Sequence, residues 1–226
     1  MEVSAILPVH NGENFIFEAL DSIRKQTLPV REIIVIDDHS TDRSVDIAQG
    51  FGELVRIIEN PSQGQPSAIN EGIRQARSEF LAFIDHDDLW SADKNRLSSI
   101  AFSENANVDV VTAGLTNFLD GADMKSQKSF NNARVFGSCT FRKKAFLNVG
   151  YLKEDIRNHS IIEWWMRPKA RELNLFQLHE NLYLRRIHSS NSGISSLEVA
   201  RKDLFKVLRN SYHEPNFTEE DWQAKR

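Results

Sequence analysis

The strongest local feature of the chain is Asp85-His86-Asp87-Asp88, directly after the apolar run Phe80–Ile84. Carboxylates this close repel one another, so they are tolerated together in water or around a cation. Hard divalent ions such as Mg2+ and Mn2+ take oxygen ligands, typically one or two carboxylates with substrate phosphates supplying others. A solvated acidic turn that caps the next helix is the competing reading, and the pattern alone does not separate the two. Placement favours the cation, because carboxylates at the C-terminal end of a strand stand where α/β sheets bind ligands. Asp37-Asp38 repeats that placement one strand earlier. An acidic residue there can accept hydrogen bonds from a base or ribose, or it can cap the following helix together with Ser40. Gly64 and Asn70, with a helix opening at Pro66, could offer backbone N–H groups to phosphate, although a loop glycine more often just makes a turn.

These clusters need a scaffold that brings them together, and the first half of the chain reads as one. Val3–Val9, Glu32–Asp37, Leu54–Ile58 and Phe80–Ile84 are short apolar runs of strand length. Helical spacing between them covers Phe15 to Ile23, a stretch near 41–50 behind Ser40-Thr-Asp, and Pro66 to about Ala76 with proline at its first position. Strand–helix alternation with near-continuous apolar strands predicts a mainly parallel sheet flanked by helices. In that arrangement Pro8–Glu13, Asp37–Asp42 and Asp85–Asp88 should converge on one crevice. The second half is less regular. Strands are expected at Val108–Thr112, Leu115–Leu119, Arg134–Phe141 and Leu182–Ile187, with a turn at Asp120-Gly121. Helices are expected at Arg142–Val149, Ile161–Leu173 and about Leu197–Arg209.

At 226 residues, 40% hydrophobic and 27% charged, the chain has the composition of an ordinary globular protein with one sizeable core. A net charge of −4 gives no reason to expect nucleic acid or an anionic membrane as the main partner. The single cysteine, Cys139, cannot form an internal disulfide, which suits a reducing compartment. The start, Met1 to Pro8, lacks the basic and long apolar stretches of a signal peptide, and no run reaches the roughly 20 apolar residues of a membrane span. The expected location is therefore cytoplasmic, with a membrane-borne acceptor met at the inner surface. Oligomeric state is not legible.

Five motifs in order carry a resemblance: Pro8-Val-His-Asn-Gly-Glu13, Ser22-Ile-Arg-Lys-Gln26, Glu32 through Asp42, Gly64 with Ala68-Ile-Asn70-Glu-Gly72, and Phe83-Ile-Asp-His-Asp-Asp-Leu-Trp90. Together they resemble family 2 of the glycosyltransferases with the GT-A fold, densely over residues 3–98 and sparsely to about 195. The resemblance implies a single Rossmann-like α/β domain with a mixed, mainly parallel sheet. Residues 1–98 would be its nucleotide-binding half, 99–195 its acceptor-side half and 196–226 a helical tail. It also implies inverting transfer from a nucleotide-diphospho-sugar, such as a UDP-sugar, to a hydroxyl of a glycan or lipid-linked acceptor, with Mn2+ or Mg2+ and a place in surface polysaccharide or glycolipid synthesis. On this resemblance Pro8, His10, Glu13 and Asp38 hold base and ribose. Gly64, Asn70 and Asp85 complete the donor side, and Asp87 and His188 take the metal. Gly137 and Ser138 face the acceptor; beside the resemblance, Trp164, Trp165 and Trp90 are candidates for stacking on a sugar there, with core packing the competing reading. Arg185 to Asn191 resembles the segment that reaches the metal or diphosphate.

The sequence departs from the family where the base is expected. The usual Glu-Asp pair falls on Ser160 and Ile161, leaving Glu163 as the nearby carboxylate. Glu163 is read as the base that takes the acceptor's proton, with an i,i+4 pair to Arg167 as the alternative. The missing pair also keeps open an idle nucleotide-sugar-binding module. A nucleotidyltransferase is disfavoured because the first loop lacks Gly-rich, basic character.

Overall fold

The computed structural model describes residues 1–120, 129–130, 135–188 and 207. β1 (Val3–Val9), β2 (Glu32–Asp37), β3 (Val55–Glu59) and β4 (Phe80–Phe83) form a parallel block in the order β3-β2-β1-β4. β1 and β4 are buried at every position, as strands covered on both faces must be. Alternation along β1 divides its side chains. Val3, Ala5, Leu7 and Val9 pack under α1 (Ile16–Arg24) and α2 (Ser44–Gln49), whereas Ile6 joins the core beneath α3 (Gln65–Gln75). Gly72 of α3 lies so close to β1 that an added Cβ would stand 2.4 Å from Ile6 Cγ2.

Beyond β4 the sheet turns mixed and continues β8-β6-β9-β5, with β7 (Ser129–Phe130) also paired to β6. These strands are β5 (Leu89–Trp90), β6 (Val110–Leu119), β8 (Cys139–Arg142) and β9 (Leu175–Ile187), and α4 (Lys94–Glu104) lies between β5 and β6. β8 runs antiparallel to β4 and β6, whereas β6 and β9 are parallel. The expected fold class, a mixed and mainly parallel sheet flanked by helices, is the one observed.

Four boundaries differ from the sequence reading. The two strands expected over 108–119 are one, β6, whose register with β9 shifts on either side of Gly114. Of the strand expected over Arg134–Phe141, Arg134 lies outside the described residues, Phe136–Ser138 form a 3-10 turn and the strand runs from Cys139. The helix expected over Ile161–Leu173 is two, α6 (Ser160–Met166) and α7 (Pro168–Arg171), because Pro168 forces Arg167 into an extended conformation. The last strand starts seven residues earlier than expected, at Leu175 rather than Leu182. α5 (Lys143–Val149) matches its expectation and ends at Gly150, whose φ of 105° suits glycine. Gly121, Asn191 and the helix expected over 197–209, apart from Val207, lie outside the described residues.

Candidate active site

The loops after β1, β2 and β4 converge as the strand pattern predicts. The β1 loop is stitched to the β2 loop residue by residue. Asn11 N donates to Ser40 Oγ (3.1 Å), Thr41 N to Asn11 Oδ1 (2.8 Å), Gly12 N to Ser44 Oγ (2.8 Å) and Glu13 N to Asp42 Oδ2 (2.9 Å). His10 Nδ1 lies 2.6 Å from the Asp38 carbonyl oxygen. Asn11 and His39 adopt positive φ, 51° and 61°, an uncommon backbone state that clusters at functional sites. Gly12 is seated on the third loop, where a Cβ would lie 2.4 Å from His86 Cδ2.

Between these loops is a cavity of about 500 Å3 whose lining includes Pro8, His10, Asp38, Asp85, Asp87 and His188. Asp38 is held rigidly there: Asn60 Nδ2 donates to its Oδ1 (2.7 Å), and Gly64 N lies 3.0 and 2.9 Å from its two oxygens. Gln65, at the start of α3, donates to Asp85 Oδ1 at 2.7 Å. Burial, reinforced by the charge of Asp87, raises the Asp85 pKa to about 6. Burial, then the charges of Asp85 and Asp87, pushes Asp88 up to about 8. Burial holds His86 below its usual value.

This donor chemistry fits a divalent cation. His188 Nε2 lies 2.9 Å from Asp87 Oδ2, so two residues of metal-ligand type already meet, beside a second, desolvated carboxylate that a cation would relieve. No group of three or more His, Cys, Asp or Glu among the described residues is arranged to hold an ion alone. Substrate oxygens would have to complete the coordination, as is usual for Mg2+ at phosphate sites.

Arg157, Asn158 and Arg185 also line the cavity. Arg185 belongs to the segment singled out in the sequence, but Arg157 and Asn158 had no spacing signal. The segment between α5 and α6 delivers them.

Eight expected site residues face elsewhere. Glu13 is not in the lining, and its carboxylate pairs with Arg43 at 3.1 Å. Gly64 acts through Asp38 rather than offering its N–H to a phosphate. Asn70 is buried, with its amide spent on Leu152 N and O (2.9 Å each) and on Glu154 (2.9 Å). Trp164 is fully buried, donates to Gly150 O and stacks on Phe146 with ring centroids 4.6 Å apart. Trp90 and Trp165 are likewise buried, so these three tryptophans serve the core. Gly137 and Ser138 lie buried behind the cavity, with Ser138 Oγ donating to Val135 O at 2.9 Å.

Glu163 also departs from its expected role as base. It is buried and outside the cavity lining, and it receives Arg167 Nη2 at 2.6 Å and Lys153 Nζ at 3.2 Å. The pair to Arg167 is thus the reading the structure supports, because a carboxylate held between two cations has no approach to an acceptor hydroxyl.

The family model for glycosyl transferase family 2 matches residues 4–172. An uncharacterized glycosyltransferase of Rickettsia typhi is 27% identical over 217 residues, 87% of this chain and 68% of the relative. Hyaluronan synthase of Pasteurella multocida is 24% identical over 96% of this chain, which spans only 24% of that protein. Among solved structures, S. aureus TarS residues 1–349 in complex with UDP-GlcNAc superposes with a TM-score of 0.78 at 21% identity, over 97% of this chain and 69% of that one. The mannosyltransferase PcManGT of Pyrobaculum calidifontis in complex with GDP-Man and Mn2+ gives 0.68 at 17% identity, over 99% of this chain and 68% of that one. Among the described residues no helix is long and apolar enough to cross a membrane.

Proposed function

The chain belongs to glycosyl transferase family 2, and from that membership we propose that it transfers a sugar from a UDP-sugar to a hydroxyl acceptor with the help of Mn2+ or Mg2+. The observation that carries this reading is the meeting of His10 and Asp38 with Asp85, Asp87 and His188 around one cavity at the C-terminal ends of the parallel strands. The UDP-GlcNAc complex of TarS supports the choice of nucleotide, and the Mn2+ complex of PcManGT supports the cation.

In this reading Pro8, His10 and Asp38 hold the base and ribose. The carboxylate of Asp38 is fixed in advance by Asn60 and Gly64, so little ordering is needed on binding. Asp87 and His188 would hold the cation, which when bound supplies charge neutralisation for the leaving diphosphate. Arg185 brings a second positive charge to the same cavity, close enough to Asp85 to oppose its protonation. Arg157 and Asn158 border the cavity from the second half and are assigned to the acceptor side. Glu163 takes no proton in this scheme. Proton acceptance falls to the carboxylates and histidines of the lining. We propose a glycan or lipid-linked hydroxyl as the acceptor and a role in surface polysaccharide or glycolipid synthesis at the cytoplasmic face, a reading supported by the family resemblance rather than by any residue here.

The test is nucleoside diphosphate release from UDP-GlcNAc, and in parallel from GDP-Man, with and without Mn2+. Asp87→Ala should lower the metal-dependent rate by roughly 100-fold or more, beyond the usual effect of disturbing a ligand's support. A variant that keeps the wild-type rate and metal dependence would remove Asp87 from the cation site.

A further inference from the structure

Gly137 and Tyr183 were not expected to act together, yet the structure places one against the other. A Cβ on Gly137 would stand 2.1 Å from Tyr183 Cζ, 2.3 Å from Cε2 and 2.5 Å from the hydroxyl oxygen. Among the described glycines, φ is positive only at Gly52, Gly64 and Gly150, so Gly137 is there for space and not for conformation. The space seats the polar end of a tyrosine that is 2% exposed. Its hydroxyl donates to Asp88 Oδ2 and lies 3.4 Å from Asp85 Oδ2. The other Asp88 oxygen accepts the backbone N–H of Arg186 at 2.7 Å. Arg186 Nε in turn donates to the carbonyl of Asp87 at 2.9 Å, and its guanidinium pairs with Asp120 (2.6 Å) and Glu18.

We infer that Tyr183, seated on Gly137, is a positioning residue that sets the Asp85–Asp88 turn against β9 and thereby aligns Asp87 with His188. The inference rests on the donor-site reading above. The geometry separates two kinds of carboxylate within four residues. All three carboxylates border the cavity, but both Asp88 oxygens are taken by β9, so Asp88 is an anchor, whereas Asp87 meets His188 and Asp85 is held by Gln65. Without the Tyr183 hydroxyl, Asp88 Oδ2 loses its buried hydrogen-bond partner, and the turn is free to shift. A shift of about an ångström is enough to degrade a bound geometry substantially.

The experiment is calorimetric titration of UDP in the presence and absence of Mn2+, at a temperature where circular dichroism shows each variant folded. Tyr183→Phe keeps the ring and removes only the hydroxyl. It should weaken Mn2+-dependent UDP binding by about tenfold, the range seen when the support of a metal ligand is removed. Gly137→Ala should do the same by pushing the ring away. On a Tyr183→Leu background, which has no ring for the new methyl to strike, Gly137→Ala should cost nothing further. An unchanged affinity in Tyr183→Phe, even with a lowered melting temperature, would make Tyr183 core packing and overturn the inference while leaving the donor site intact. Additive losses from Gly137→Ala on the leucine background would overturn the coupling of the two residues. Absence of Mn2+-dependent UDP binding in the wild-type protein would overturn the donor-site reading and this inference with it.

Discussion

At Glu163 the two carboxylate oxygens face Arg167 and Lys153, and only 4% of the side chain reaches solvent. Its environment is that of a structural ion pair tying α6 to the segment before it, through Arg167 contacts to Tyr151 O (2.8 Å) and Val149 O (3.4 Å). Glu163→Gln should therefore lower stability by about 2 kcal/mol, the scale of charge-assisted bonds lost with Arg167 and Lys153 left without their counter-charge, and should leave kcat within a few-fold of wild type. Urea unfolding together with steady-state turnover checks both halves, and a 100-fold fall in kcat at unchanged stability would restore Glu163 as the base. The expected residues that line the cavity are those fixed by backbone position. Pro8, His10, Asp38, Asp85 and Asp87 follow apolar strands directly, and a strand's C-terminal end dictates where they go. Asn70, Gly137, Trp164 and Glu163 were misplaced for one shared reason. Their side chains serve packing as readily as ligands, and only the three-dimensional neighbours distinguish the two uses.

At the scale of elements, legibility followed burial. β1, β2 and β4 are nearly wholly apolar because helices cover both faces, and their ends were read to within about a residue. The first half of β9 has no buried position and carries Gln177, His179 and Glu180, which hid it. Arg157 and Asn158 entered the site without warning because the segment carrying them has no periodic pattern to orient it. The α3–β1 seam gives a test of the packing that supports the site. Gly72→Ala would drive a methyl to 2.4 Å from Ile6 Cγ2, and β-branched Ile6 is itself locked in the sheet. The expected cost is about 1–3 kcal/mol, read from denaturant unfolding. A neutral result would mean that α3 can slide on β1, and Gln65, which holds Asp85, would then lose its fixed platform.

At the scale of the whole molecule, one buried charge sets a pH dependence. Lys94 is 1% exposed, and its Nζ has Cys139 O at 3.3 Å, Thr140 Oγ1 at 3.2 Å and the Trp90 ring at 4.6 Å. No carboxylate is among these partners, and burial, only partly opposed by the Cys139 thiol, pulls the Lys94 pKa down from 10.5 to about 8. The folded state therefore binds the proton less tightly than the unfolded state does. Below pH 8 both states are charged and the fold carries the full burial cost. Between about pH 8 and 10.5 the folded amine is neutral while the unfolded one is still charged, so stability rises with pH. The gain is about 3 kcal/mol at most. Lys94→Met should thus be the more stable protein at pH 7, with its advantage shrinking towards pH 10. Parallel melts of the two proteins across that range isolate the effect from other titrations, and a constant difference would show that Lys94 does not change its charge.

The sheet gathers three loops from the first 88 residues and the end of β9 around one cavity, and the central claim is that this cavity takes a nucleoside diphosphate together with a divalent cation. The most direct measurement is the melting temperature with UDP, GDP, CDP and dTDP, each with and without Mn2+. A ligand at about 100 times its Kd adds roughly 2.7 kcal/mol, enough to move the transition by several degrees. The account predicts a shift with UDP that depends on Mn2+ and is lost in Asp87→Ala. The contradicting result is no shift with any of the four diphosphates, or a UDP shift of equal size without metal and in Asp87→Ala.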